Sequence, residues 1–425
     1  MNRKSLITCA LLAAGVISQA SAADPVVYLT GSTAFRSTVF TALTTAGRIF
    51  DAAPDYQAER GGGTSASGAT YMVFHGNIGG SPVYIDCAWS GSDAGMASVA
   101  NVAIDNDGIP LFGAPETWMK GDGTVASGYN VAQPTATELE SGSHQGDIAC
   151  ADTSEASALP AIQTVALKPY GVMGVVTFTW VKNNNTGSAA NAAKTAWSDL
   201  VNVSTYQLQA LIANGALPAD FFTGKSADNP TSVYLVGRNK GSGTRANMLD
   251  DTTYGLNTPV NQFSIGGKAN LNGTPDGTLT LETVGDNGYE SGGGVAAALG
   301  TAGSTAATDP FTSATGWIAI GYLGTSDAQK SGLTIANNWL TENGVAESDG
   351  TIETGQYSYW GYENLYGRPN IVNGTFVDTV AKKVHDGVVA QVGSNGSNPA
   401  ANDSSINTTF MNCSKLTDFS FPTHN

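Results

Sequence analysis

Charge is the first thing this sequence has little of. Only 13% of its 425 residues are charged, and they are unbalanced: 19 Lys and Arg against 35 Asp and Glu, a formal charge of −16. A chain this acidic repels polyanions, which excludes non-specific binding to nucleic acid or to an anionic membrane surface. Cysteine is scarce as well. Cys9 falls in the N-terminal apolar run, leaving Cys87, Cys150 and Cys413. Three cysteines allow at most one intramolecular bridge, and their spacing makes no zinc pattern. The four histidines, His75, His144, His385 and His424, stand in no Ser-His-Asp or metal-ligand spacing, so a hydrolytic centre is not expected. Beyond the N-terminus no run reaches the roughly 18 apolar residues of a membrane span.

What is abundant is glycine, 52 residues, against an average near about 7%. With 41% apolar residues, this composition describes a folded, loop-rich chain rather than a disordered one. The N-terminus reads as a secretory signal over residues 1–22. Arg3 and Lys4 precede an apolar stretch from Leu6 to Ile17, and Ala20-Ser21-Ala22 makes a small-residue cleavage site. Cleavage near Ala23 leaves 17 basic against 35 acidic residues, a charge of −18. The expected location is the periplasm or outside the cell.

Short apolar strands alternate with helical patterns. Val26–Leu29 leads through Gly31-Ser32-Thr33 into a helix with Phe35, Val39, Leu43 and Ala46 on one face. Val83–Trp89 leads through a turn to Asp93 into a stripe of Met96, Val99, Ala100 and Ala103. Ile148–Cys150 is followed by Asp152, and the strand "SVYLV" by "GRNKGSGTRANML", Gly237–Leu249. Tyr170–Val181 is the longest β-type run, Ser204 with Gln207 makes a capping box, and Gly215 ends that helix. Further on come the glycine-led helix start "ESGGGVAAALG", the buried strand "GWIAIGYLG" and an amphipathic helix over Phe376–Val388. A polar insert of about 105–144 interrupts the order. Its Asp105–Gly108 stretch resembles a calcium loop only at its start, since Pro110 stands at the sixth position. The alternation predicts an α/β fold with largely parallel sheets.

Four turns at strand ends, 31–33, 91–93, 152–154 and 241–244, are built from Gly, Ser, Thr or Asp. Taken singly, each is an N-cap. Taken together they describe an anion site. Helix N-termini carry unsatisfied N–H groups and positive partial charge, glycines admit close approach, and Ser and Thr add neutral donors. Arg238 leaves its strand just before Ser242-Gly243-Thr244, where a planar guanidinium suits a tetrahedral oxyanion.

In combination, "GRNKGSGTRANML" resembles the Arg-x-x-Gly-Ser-Gly-Thr loop of the phosphate-binding proteins of phosphate ABC importers. "YLTGSTAF", "SGSDAGM", "GDIACADTS", "DNGYESGGGVAAAL" and "WIAIGYLG" are similar to that family's other segments, in family order. The resemblance implies a two-lobed, class II periplasmic binding protein with two hinge crossings. Lobe I would comprise 23–168 and the return 356–425, and lobe II 169–355. It further implies phosphate contacts from Thr33, the Ala34 amide, Ser92, Asp152, Arg238, Ser242, the Gly243 amide and Thr244. Asp152 would accept a hydrogen bond from a protonated phosphate oxygen. A carboxylate in an anion site suits a ligand that brings a proton, which monohydrogen phosphate does and sulfate does not. This chain departs from the family at Lys240, where an acid is often found, at Arg245 just after the Gly-Ser-Gly-Thr turn, and at Arg36, which stands in place of a proline. No cofactor, metal or nucleic acid is expected, and an ABC permease is the implied partner. The competing reading is a non-transport extracellular surface, matrix or sensing protein on the same fold. A secreted phosphatase fits less well.

Overall fold

The strand β1 (Val26–Gly31) lies between two parallel neighbours, and the rest of the first sheet grows from it. The computed structural model describes residues 24–59, 66–104, 128–131, 144–185, 191–266, 279–282, 288–300, 308–394, 405–418 and 420–424. Residues 1–22, where a secretory signal is expected, the calcium-like stretch and most of the 105–144 insert lie outside the described residues.

In chain order the first sheet continues with β2 (Asp55–Glu59), β3 (Tyr71–Ile78), β4 (Ser81–Ala88), β5 (Gly128–Val131) and β6 (Ile148–Ala151). β1 pairs in parallel with β4 and β6. From β4 the sheet extends as an antiparallel meander through β3 and β2, with β5 parallel to β2 at the edge. β7 (Lys168–Lys182) is the longest strand, and its last ten residues are all buried. Its mostly apolar run, broken only by Gly174, Thr177, Thr179 and Lys182 in that stretch, is what a strand covered on both faces requires.

The second sheet adds β8 (Asn202–Val203), β9 (Ala216–Pro218), β10 (Ser232–Val236), β11 (Phe263–Ile265), β12 (Leu279–Leu281), β13 (Ile318–Gly324) and β14 (Trp339–Glu342). β10 is parallel to both β11 and β13. The last labelled strand, β15 (Trp360–Gly367), returns to the first sheet, antiparallel to β6 and to β7. β7 is thus shared: it pairs with β15 up to Thr177 and with β13 from Phe178 onward. One crossing between the sheets runs inside β7 and the other between β14 and β15. The architecture is α/β and two-lobed, each sheet with a parallel core and antiparallel flanks.

Helices cover these sheets where the apolar stripes say they should. The helix Arg36–Thr44 follows β1, and Phe376–Ser394 packs Val380, Val384, Val388 and Val392 into the core it shares with β7. The capping box of Ser204 and Gln207 starts Thr205–Asn214, and Gly215 ends it in the left-handed region at φ 75°. The turn after β6 differs from expectation. No full helix starts at 152–154; there is one 3-10 turn, Glu155–Ser157, then a four-residue helix, Pro160–Gln163. Pro160 explains this, because the residue before a proline is driven out of helical geometry, and Leu159 is extended. Cys87, Cys150 and Cys413 are buried free thiols. No helix of the described residues is long and apolar enough to cross a membrane.

Candidate anion-binding site between the two sheets

The ends of β1, β4, β6 and β10 meet at the seam between the sheets. Gly31 closes β1 at φ 120°, and a side chain there would overlap the Cys150 carbonyl. Only glycine lets this turn lie on β6, and Ser32 N donates to Cys150 O at 2.9 Å. From this position the Ser32 hydroxyl accepts from Phe35 N and donates to Asp152 Oδ2 at 3.2 Å. After β4, Gly91 sits at φ 115° with Gly241 of the second sheet pressed against it. Ser92 then opens the helix Ser92–Ala100, and its hydroxyl donates to Asp152 Oδ1 at 2.5 Å.

Asp152 is therefore the hub of the first sheet's contribution. It is 1% exposed, and burial pushes its carboxyl up to about 6. The Ser92 bond, the Arg238 charge and the Ser32 bond work against that rise. Behind it lies Glu363 on β15, fully buried, with neither carboxyl oxygen hydrogen-bonded. Burial and the nearby Asp152 charge push Glu363 well above the usual carboxylate range.

The second sheet supplies the opposing wall. Arg238 leaves β10 at 1% exposure. Its Nε donates to Tyr289 O at 3.1 Å and its Nη2 to Glu290 O at 2.8 Å. Those two carbonyls fix the guanidinium plane and leave Nη1 without a partner among the described residues. The counter-charge expected two residues after Arg238 is absent, since Lys240 is there. It is provided by Asp327, just beyond β13, together with Asp152. Ser242 caps the helix Gly243–Asp251 by accepting from Arg245 N at 3.3 Å, which leaves its O–H proton for another acceptor.

Contacts across the seam are direct. Asn247 Nδ2 donates to Asp152 O at 2.7 Å, Ala94 N to Gly241 O at 3.1 Å, and Tyr359 OH to Thr244 O at 3.1 Å. A Cβ on Gly243 would overlap Asp152 Oδ1 and Ser92 Oγ, and one on Gly324 would lie 3.1 Å from Ala34 Cβ. The structure thus gathers Thr33, Ala34, Ser92, Asp152, Arg238, Ser242, Gly243 and Thr244 at one closed seam, all buried. Among the described residues the hydroxyls of Thr33 and Thr244 have no hydrogen-bond partner. Orphan donors of this kind, nearly removed from water, are what an anion would satisfy.

The sequence pattern gives Ser32 only as part of the 31–33 turn and Arg36 only as a departure, and it does not single out Asn247, Asp327 or Glu363. Asp327 had a signal: "GTSD" after the apolar strand β13 repeats the Gly, Ser and Asp chemistry of the other turns. Beside the seam runs a cleft of about 410 Å³, lined by Asp93, Ile104, Lys240, Arg245 and Leu256 among others. Neither Thr33, Asp152 nor Arg238 lines it. No group of three or more His, Cys, Asp or Glu among the described residues is placed to hold a metal ion.

No family model and no curated protein matches this chain. Among solved structures it is similar to a phosphate ABC transporter substrate-binding protein from Clostridium perfringens with bound phosphate. The TM-score is 0.45 at 12% identity, over 90% of this chain and 99% of that one. It is similar to an ABC-type phosphate transport receptor from Vibrio cholerae, with a TM-score of 0.33 at 12% identity, over 59% and 79% of the two chains. It is also similar to PstS from Borrelia burgdorferi, with a TM-score of 0.31 at 11% identity, over 82% and 88%.

Proposed function

We propose that this chain is a solute-binding protein that holds inorganic phosphate at the seam between its sheets and delivers it to an ABC permease. The observation that carries the reading is the placement of Asp152 and Arg238 within electrostatic reach of each other at one buried seam, beside orphan hydroxyls. Arg238 and the amides at the head of Gly243–Asp251 take the ligand's charged oxygens. Thr33, the Ala34 amide, Ser92, Ser242 and Thr244 take the remainder. Asp152 takes the ligand's proton. For Ser92 this requires a change of partner, because its hydroxyl proton now points at Asp152. When the ligand's own proton occupies Asp152, Ser92 turns its O–H to the ligand. Binding and the hydrogen-bond switch are thereby one event.

The lobes that close are divided at about 23–168 and 169–355, with 356–425 returning to the first. The two crossings act as the hinge. The leader of residues 1–22 directs the chain to the periplasm or beyond. No catalytic step is assigned: the Ser92 and Ser32 hydroxyls that donate to Asp152 serve in this reading to hold the ligand and its proton acceptor. Calorimetric titration of ligand-stripped mature protein with phosphate, sulfate and arsenate tests the reading. Phosphate and arsenate bind and sulfate does not; equal competition by sulfate overturns the role given to Asp152.

A further inference from the structure

The seam holds a second guanidinium that the reading above leaves unused. Arg36 is the first residue of the helix Arg36–Thr44, three positions after Thr33, and is only 4% exposed. Among the described residues its guanidinium makes no hydrogen bond and no ion pair. Its charged neighbours are Asp327, Arg238 and Glu59; the two carboxylates attract it at a distance and Arg238 repels it, and none is within ion-pair contact. Asp327 Oδ1 is bound to Lys330 Nζ at 2.5 Å, and Glu59 Oε1 accepts from Thr70 N. Arg238 is itself a cation, tied to the carbonyls of Tyr289 and Glu290. A guanidinium carries five N–H donors and stays charged in a protein. To hold one in the interior without a partner, and within reach of another, is unfavourable on both counts. Two such cations facing one seam make sense around an anion that contacts both.

We propose that Arg36 is a second anion-contacting arginine, gripping the bound oxyanion from the β1 side while Arg238 grips it from the β10 side. This deepens, and rests on, the reading of the seam as an oxyanion site. It also gives the closure a cause. Each guanidinium belongs to a different sheet and repels the other, a repulsion that Asp327 offsets in the ligand-free protein, and a bound anion of two negative charges adds an attraction to each. A single arginine would leave the second charge of such a ligand opposite Asp152 without an equivalent offset.

The consequence separates Arg36 from a residue that only supports the fold. Removing it should weaken the ligand while leaving the ligand-free protein equally stable or more so, because an unpaired buried cation and its repulsion from Arg238 disappear. The experiment compares wild type, Arg36→Met and Arg36→Lys, each stripped of ligand, by thermal melting and by titration with inorganic phosphate and with sulfate. For Arg36→Met the expected result is phosphate affinity lower by about 10- to 100-fold, the loss of charge-assisted hydrogen bonds, with a ligand-free melting temperature unchanged or raised. Arg36→Lys should fall between, keeping the charge but not the planar fork.

Unchanged phosphate affinity in Arg36→Met overturns the proposal while the phosphate reading stands. So does a lowered ligand-free melting temperature that Arg36→Lys restores together with binding, since that marks a structural role. If wild type binds sulfate but not phosphate, and Arg36→Met loses the sulfate, the arginine proposal holds and the phosphate reading fails. If wild type binds neither anion, both fall.

Discussion

Gly243 sits so close to Asp152 that a single methyl group on its Cα would occupy the position of the Asp152 Oδ1 atom. The two residues belong to different sheets, so this contact measures how completely the seam is closed. Gly243→Ala should therefore leave both sheets folded but prop them apart at the seam. Phosphate affinity is expected to fall by at least about 100-fold, because the donors no longer converge at hydrogen-bond distance. Small-angle scattering with saturating phosphate should show no compaction in the variant where wild type compacts. Full compaction with wild-type affinity would mean that the contact does not define the bound state.

Arg238 differs from an ordinary surface arginine because two main-chain carbonyls hold its plane. Arg238→Ala removes charge-assisted hydrogen bonds that contribute about 1.5–3 kcal/mol each, so phosphate affinity should drop well over tenfold. Arg238→Lys should recover little of it. An ammonium group cannot satisfy Tyr289 O and Glu290 O in the same plane while still pointing at the ligand. Calorimetry on both variants checks the pair, and a lysine variant with wild-type affinity would show that charge alone matters here.

In the proposed reading, Asp152 is the source of discrimination. With an ionised carboxylate at the seam, sulfate sets lone pairs against lone pairs, whereas monohydrogen phosphate donates its proton. Asp152→Asn replaces one acceptor oxygen by an N–H₂ donor. Sulfate should then bind measurably, and the phosphate-to-sulfate preference should collapse by two or more orders of magnitude, as expected where a buried polar group is built to meet a ligand proton. Competition titrations at fixed ionic strength read this directly. An unchanged preference would move the selectivity to another residue.

Much of the seam was legible because its chemistry is local. Strand, glycine turn and helix start follow one another within a dozen residues at 26–44, 83–100 and 232–251, and each of those three became a strand ending at the seam with a helix behind it. Other parts were not legible, for identifiable reasons. β15 contains Gly361 and Gly367 with Glu363 and Asn364 between them, and nothing in that local pattern says that it will be buried between β6 and β7. The meander of β2 and β3 alternates too weakly to announce an antiparallel edge. Asn247 faces Asp152 only because two turns 95 residues apart fold onto each other. Asp327 and Lys330 depend on where β13 ends in space. Long-range pairing decides all of these, and periodicity in one short window does not contain it.

The stability of the ligand-free protein should fall as pH rises. Burial pushes Asp152 up to about 6, Asp93 to about 7 and Asp250 to about 8, all above an ordinary aspartate. Asp250 has no hydrogen-bond partner on either carboxyl oxygen. In each case the folded state holds its proton more tightly than the unfolded chain does. The folded protein then binds more protons than the unfolded one between the ordinary aspartate range and about pH 8, and stability declines through that window. A fully linked group contributes about 1.4 kcal/mol per pH unit while it titrates. Lys182, held down to about 8 by burial, acts in the opposite sense only above that value. Asp327, held low by Lys330, Arg36 and Arg238 against its burial, matters only below the ordinary aspartate range. Melting curves of phosphate-free protein should therefore show a higher transition temperature near about pH 5 than near about pH 8. Asp250→Asn should flatten the upper part of that slope, between about pH 7 and pH 8, where Asp250 and Glu347, both pushed up to about 8 by burial, are still gaining charge. A flat profile in wild type would mean that the buried carboxylates are paired in solution, and the charge balance drawn for the seam and its surroundings would have to be redrawn with them ionised.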